Sequence, residues 1–201
     1  MLEAKNISFS YIKSKNIIDD VSLSFGENEI VGIIGPSGCG KSTFSKILAG
    51  YLKPKTGEVL FNGEKLPMTG YCPVQLIYQH PEYAVNPKWK MNQVVTEAWD
   101  IDKETLDAFG IKDYWLTRWP SELSGGELQR FCIARALGEK TKYLIADEMT
   151  TMLDAVTQAY IWDIVVKQVR KRNIGMIVVT HNHALANRVC DRILDFEEIL
   201  K

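Results

Sequence analysis

Apolar and polar positions alternate with a period of two over Leu2–Tyr11 and again over Ile17–Phe25, with polar breaks between. That alternation predicts two half-buried β-strands. The pattern then changes. Glu29-Ile30-Val31-Gly32-Ile33-Ile34 is a short apolar run of the kind found in strands buried on both faces. A glycine-rich segment follows, and beyond it Phe44, Ile47, Leu48 and Tyr51 fall at i, i+3, i+4 and i+7. This is one face of a helix, which Pro54 is expected to end. Gly57–Gly63 reads as a strand closed by an Asn62-Gly63 turn, and Val74–Tyr78 as another short strand. From His80 to Leu123 the periodicity is broken by Pro81 and Pro87, and Trp89, Trp99, Trp115 and Trp119 fall here. Short helical stretches alternating with turns predict a helical insertion at about residues 80–135. Then come a helix over about Gly126–Gly138, a buried strand at Tyr143–Ala146, a long helix over Ala155–Lys171 and a strand at Met176–Thr180. In the long helix Ile161, Ile164, Val165 and Val169 share a face. Strands alternating with helices predict an α/β fold with a largely parallel sheet covered on both sides.

A length of 201 residues suits one domain spanning the chain, with a modest insertion. The hydrophobic fraction is 46% and the charged fraction 24%, ordinary for a globular protein. Net charge is −1, so nothing global points to nucleic acid, and no nucleic-acid partner is expected. Cys39, Cys72, Cys132 and Cys190 are widely separated, with no CxxC pair, and read as free buried thiols in a reducing cytosol. The start, MLEAKNISFS, lacks the basic and apolar pattern of a signal peptide. No apolar stretch approaches the roughly 18 residues of a membrane span. A role at a membrane would therefore need another protein to hold the chain there.

Three segments carry chemistry. Gly35-Pro36-Ser37-Gly38-Cys39-Gly40-Lys41-Ser42 fits G-x-x-x-x-G-K-S/T and continues into Thr43. Its glycines let consecutive N–H groups point into one concavity, and the following helix adds its positive end. Lys41 supplies a full charge to the β- and γ-phosphates, and the Ser42 hydroxyl is placed to ligate Mg²⁺. A ligand-free glycine turn is the competing reading, but chance produces the pattern in only on the order of one chain in a hundred. Secondly, Tyr143–Ala146 runs into Asp147 and Glu148. A parallel strand beside the loop strand would deliver Asp147 to the Mg²⁺ shell and Glu148 towards the γ-phosphate, where it could polarise an attacking water. Thirdly, Ser124, Gly125, Gly126 and Glu127 form a capping box, yet a capping box does not need two glycines. Glycines at a helix start open backbone N–H groups to an anion. One chain would then carry two phosphate-binding elements far apart in sequence.

Leu123-Ser124-Gly125-Gly126-Glu127, lying between the phosphate loop and the acid pair, resembles the signature motif of ATP-binding cassette (ABC) ATPases. The resemblance spans nearly the whole chain and implies a P-loop NTPase domain of ABC type, with an N-terminal antiparallel β part, a mostly parallel sheet and a helical insertion. It further implies that Tyr11 stacks on adenine and that Gln79 joins Mg²⁺ to the transporter contact. By the same resemblance Asp154 crosses a dimer seam, and His181 holds the γ-phosphate and the attacking water. The expected assembly is a head-to-tail dimer with an identical or related ATPase subunit. In it the loop of one subunit and Ser124–Gly126 of the other sandwich ATP, and hydrolysis separates the pair.

Single-cassette chains with a short insertion are similar to transporter subunits. The stretch from Gln79-His80-Pro81-Glu82 to Asn86-Pro87-Lys88-Trp89 and the Asp147–Asp154 stretch resemble the peptide/nickel import subfamily. This implies transmembrane permease partners and a peripheral place on the cytoplasmic face of the cell membrane. The aromatic-rich Tyr83–Trp119 stretch would either receive a permease helix or form a small local core. The alternative is a non-transport ABC ATPase clamping a soluble partner such as the ribosome; a neighbouring permease gene would favour the first reading and copurification with ribosomes the second. Two departures stand out: Met149 where many members have proline, expected to relax the turn after Glu148, and Glu127 where glutamine is common. No regulatory domain is expected after Ile193–Phe196; the other reading of this end is that the last strand is incomplete.

Overall fold

The computed structural model describes residues 1–12 and 16–200. Two sheets form. Strands β1 (Leu2–Phe9), β2 (Ile18–Phe25), β4 (Thr56–Phe61) and β5 (Glu64–Lys65) make an antiparallel sheet in the order β2-β1-β4-β5. Strands β3 (Ile30–Ile34), β6 (Val74–Ile77), β7 (Tyr143–Asp147), β8 (Gly175–Val179) and β9 (Arg192–Asp195) make a parallel sheet in the order β6-β7-β8-β3-β9. Asn62 and Gly63, both with positive φ, close the β4–β5 hairpin as a two-residue turn.

The three central strands β3, β7 and β8 are buried at every position. Their side chains alternate between two apolar cores, as the pleat requires. Leu144, Ala146, Met176 and Val178 face one core, which is shared with helix α4 (Gly125–Ala136) and helix α5 (Ala155–Lys171). Tyr143, Ile145, Ile177 and Val179 face the other, with Phe44, Ile47 and Leu48 of helix α1 (Lys41–Leu48) and the inner face of the antiparallel sheet. Each of those three α1 side chains is at most 1% exposed, worth about 1.5–3 kcal/mol apiece in burial. Tyr143 joins the two sheets: its hydroxyl donates to Phe25 O at 2.8 Å and accepts from Leu2 N at 3.2 Å.

Between β6 and β7 the chain forms short pieces: helix α2 (Met91–Val95), helix α3 (Lys103–Ala108), three single 3₁₀ turns and then α4. Trp115 is buried there and Trp89 packs against the same core. Trp119, Tyr83 and Tyr114 are exposed. The C-terminal part adds helix α6 (His183–Val189), the edge strand β9 and helix α7 (Phe196–Ile199).

Several expectations need correcting. Helix α1 does not reach Pro54; it ends at Leu48. Gly50 takes φ +78, and paired bonds from Gly50 N to Ile47 O and from Tyr51 N to Lys46 O close a left-handed cap. Tyr51 thus lies past the helix, 60% exposed. Strand β1 stops at Phe9, so Tyr11 lies beyond it. The cysteines are free, but only Cys132 is fully buried; the other three are half-buried. Burial pushes the Cys132 thiol up to about 11 and the Cys190 thiol up to about 12.

Candidate functional site

Parallel pairing brings the site together. In register, Ile33 of β3 and Asp147 of β7 both sit opposite Val179 of β8, and Ile77 of β6 sits opposite Ala146. The C-terminal ends of four strands therefore meet at one rim, where open α/β sheets place their ligands. From that rim emerge the loop Gly35–Gly40, the pair Asp147 and Glu148, Gln79, and His181. A cleft of about 500 Å³ is lined by Tyr11, Ile17, Ser37, Gly38, Gly40, Lys41, Ser42, Thr43, Gln79 and Glu148.

The loop turns into α1 at Gly40, whose φ of +109 and tight contact with Ile17 (an added Cβ would lie 3.0 Å from its Cγ2) admit only glycine. Lys41 is 5% exposed. Its ammonium donates to Gly35 O and to Pro36 O, both at 2.8 Å, and lies 3.8 Å from Cys39 Sγ. The Ser42 hydroxyl donates to Asp147 Oδ1 at 3.0 Å. Burial raises the Asp147 carboxyl above the ordinary aspartate range, and the Ser42 hydrogen bond opposes that shift. Tyr11 is 60% exposed and its hydroxyl lies 3.3 Å from Thr43 Oγ1.

Glu148 has φ +49, a left-handed backbone that costs a non-glycine residue about 1–3 kcal/mol. Its N–H donates to Val179 O at 3.0 Å, and Oε1 lies 3.0 Å from His181 Nδ1. Met149 opens the turn that follows. It is 2% exposed within the apolar core, and Thr151 donates to Glu148 O through both its N–H (3.2 Å) and its hydroxyl (3.0 Å). Gln79 Nε2 donates to Thr151 Oγ1 at 3.1 Å. Sequence reasoning missed Thr151 as the link between Gln79 and the acid pair. It also missed Gln129, which is buried and donates to Tyr78 O at 3.1 Å, tying α4 to the residue before Gln79.

Ser124, Gly125, Gly126, Glu127 and Asp154 do not line this cleft. Ser124 caps α4 in a closed capping box: Glu127 N donates to Ser124 Oγ at 3.3 Å, and Ser124 N donates to Glu127 Oε2 at 2.7 Å. Ser124 and Gly125 are exposed, and a Cβ on Gly125 would meet nothing within 4 Å. Gly126 packs on Leu153, next to Asp154. Asp154 caps α5, accepting from Val156 N and Thr157 N, and the Thr157 hydrogen bonds hold its carboxyl below the usual aspartate range.

A doubly covered parallel sheet with a phosphate-type loop, an acid pair and a histidine on one rim, and a glycine-capped helix outside it, defines a nucleotide-dependent cassette. The chain belongs to the ABC transporter family, which it matches over residues 18–151. It is an ATP-binding cassette ATPase. The nickel import system ATP-binding protein NikE of Staphylococcus aureus (strain bovine RF122 / ET3-1) is 33% identical over 208 residues, covering 96% of this chain and 85% of the relative. The dimeric structure of MJ0796, a bacterial ABC transporter cassette, matches with a TM-score of 0.83 at 26% identity, over 97% of this chain and 94% of that one. A dimeric post-hydrolysis state of MJ0796 bound to ADP and Pi matches with a TM-score of 0.82, again at 26% identity and over the same 97% and 94% of the two chains. No helix among the described residues is long and apolar enough to cross a membrane.

Proposed function

We propose that this chain is the ATP-hydrolysing subunit of an import-type ABC transporter, carrying a peptide or nickel-type cargo through a partner permease at the cytoplasmic face of the membrane. It works as one cassette over residues 1–201, with residues 80–135 as a helical insertion. The observation that carries the reading is the split arrangement: the loop, Gln79 and Glu148 line one cleft, Asp147 is bonded to Ser42 and His181 to Glu148 at the same strand ends, and the glycine-capped start of α4 lies outside it. Two half-sites in one chain make sense in a head-to-tail dimer, identical or related, where Ser124–Glu127 and Asp154 of one subunit close over ATP held by the other. The dimeric cassette among the relatives supports this.

In each half-site Tyr11 stacks on the base. The backbone N–H groups of Gly35–Thr43 and the Lys41 ammonium take the phosphates, Lys41 exchanging its two carbonyl partners for phosphate oxygens. The Ser42 hydroxyl and the Asp147 carboxylate, already 3.0 Å apart, form a hard-oxygen pair suited to Mg²⁺, with Gln79 on the same cleft. When bound, Mg²⁺ supplies charge neutralisation at the phosphates. Glu148 accepts the proton of the attacking water, and His181, hydrogen-bonded to it, orients that water and the terminal phosphate. The permease meets the cassette beside Gln79, where a cleft of about 210 Å³ is lined by Tyr51, Tyr78, Tyr83 and Arg135 among others.

The test is Glu148→Gln, followed by ATP turnover and by light scattering with and without ATP. Turnover is expected to fall by about 10²-fold or more, while ATP drives the variant into a lasting dimer. Ordinary turnover would remove Glu148 from the role of base.

A further inference from the structure

We infer that the Thr150 hydroxyl, clamped by Gln158 and Trp162, is the positioning device for the segment that carries Glu148 and Asp154. Thr150 is 2% exposed. Its hydroxyl oxygen accepts from Gln158 Nε2 at 2.8 Å and from Trp162 Nε1 at 3.0 Å. Gln158 Nε2 also donates to Thr150 O at 3.3 Å. A carbonyl can only accept and an indole N–H can only donate. Those two facts fix the orientation of the Gln158 amide and the accepting role of the hydroxyl. Gln158 and Trp162 stand one turn apart on α5, so both donors come from the same rigid face.

The placement of Thr150 gives the clamp its consequence. It lies in the turn between Glu148, which holds a left-handed backbone, and Asp154, which caps α5. A conformation of that kind persists only where its surroundings over-determine it. The bonds from Thr151 to Glu148 O and from Val156 and Thr157 to Asp154 are local to the turn. The bond from Gln79 to Thr151 comes from a half-buried residue outside any strand or helix. Glu148 N–H, bonded to Val179 O, ties the start of the turn to the sheet, and the Thr150 hydroxyl fastens its middle to the body of a helix that runs over Ala155–Lys171. It does so on the wall of a crevice of about 400 Å³ that Glu148 and His181 also line. Where a proline ring would stiffen such a turn covalently, this chain has Met149 and the clamp. A displaced clamp leaves the phosphate loop and Lys41 in place and shifts the turn that carries Glu148, Thr151 and Asp154, so its effect is expected on turnover more than on nucleotide affinity.

This inference rests on the reading of Glu148 as the general base. The full chain is compared as wild type, Thr150→Val, Thr150→Ser, Trp162→Phe and Glu148→Gln, measuring ATP affinity by titration and steady-state kcat. Thr150→Val keeps the shape and loses the acceptor. Its kcat is expected to fall about tenfold or more, with the ATP Kd within about twofold of wild type. Thr150→Ser restores the acceptor and is expected to recover most of the rate, and Trp162→Phe, which keeps a ring and loses the N–H, to fall between. Wild-type kcat in Thr150→Val, a Ser variant as slow as the Val variant, or parallel loss of affinity and rate would each overturn the inference. If Thr150→Val does not fold, Trp162→Phe carries the test, and an unchanged kcat there overturns it. An inactive Glu148→Gln beside an unaffected Thr150→Val sinks the clamp alone. A fully active Glu148→Gln sinks the base assignment and the clamp with it.

Discussion

Lys41 is held by the carbonyl oxygens of Gly35 and Pro36, inside the loop it serves. An ammonium that is 5% exposed needs such partners, because an unpaired buried charge is costly. On the proposed reading, phosphate binding is then an exchange of these two partners for phosphate oxygens. Lys41→Ala is expected to weaken ATP binding by about a hundredfold or more, the loss of one close charge pair in a partly desolvated site. Calorimetric titration checks it, and unchanged affinity would sink the phosphate-loop assignment. At this scale the contiguous pieces of the site were legible in sequence. Gly35–Thr43 and Asp147-Glu148 are contiguous runs that stand out in the sequence, and the structure brings them to one rim. The Thr150 clamp was not legible, because its donors lie 8 and 12 residues further on and meet it only across a turn. The same holds for Thr151 and Gln79, which are separated by 72 residues.

At the scale of elements, strands β3, β7 and β8 were legible because burial on both faces leaves an unbroken apolar run. Helix α5 was legible through its four-residue apolar stripe. The end of α1 was misplaced because Pro54 is the more conspicuous breaker, while Gly50 ends the helix by a cap that only its positive φ reveals. Helices α2 and α3 are too short to show a period, and β9 is a half-exposed edge strand with no apolar run. The joint between the sheets was also hidden. It is the Tyr143 hydroxyl, whose ionisation burial pushes up to about 12. Tyr143→Phe leaves the Phe25 carbonyl and the Leu2 N–H without their partner. A loss of about 1–3 kcal/mol of stability follows. Thermal unfolding should register it as a drop of several degrees, with ATP affinity unchanged; an unaltered midpoint would mean that the two sheets do not depend on this joint.

At the scale of the whole molecule, the question is whether the glycine-capped start of α4 acts on its own chain or on another. In the proposed dimer every ATP contacts Lys41 of one subunit and Ser124 of the other. Ser124→Arg should then retain ATP binding and lose hydrolysis. Mixing it with Lys41→Ala gives the sharper experiment. In a mixed pair one composite site carries both lesions and the other carries neither. Two inactive preparations should therefore regain measurable turnover when combined. No recovery, with both proteins folded and dimerising, would argue that the two elements serve the same chain or that the working partner is a different subunit.

The left-handed backbone at Glu148 has a consequence for how this protein would evolve in the laboratory. Position 148 is one where asparagine or glycine would rest more comfortably than glutamate. On the proposed role of Glu148 as general base, a library sorted only for heat resistance would drift towards those residues and lose turnover while hardening its frame. A library sorted for work done per ATP would be driven back to the uncomfortable residue.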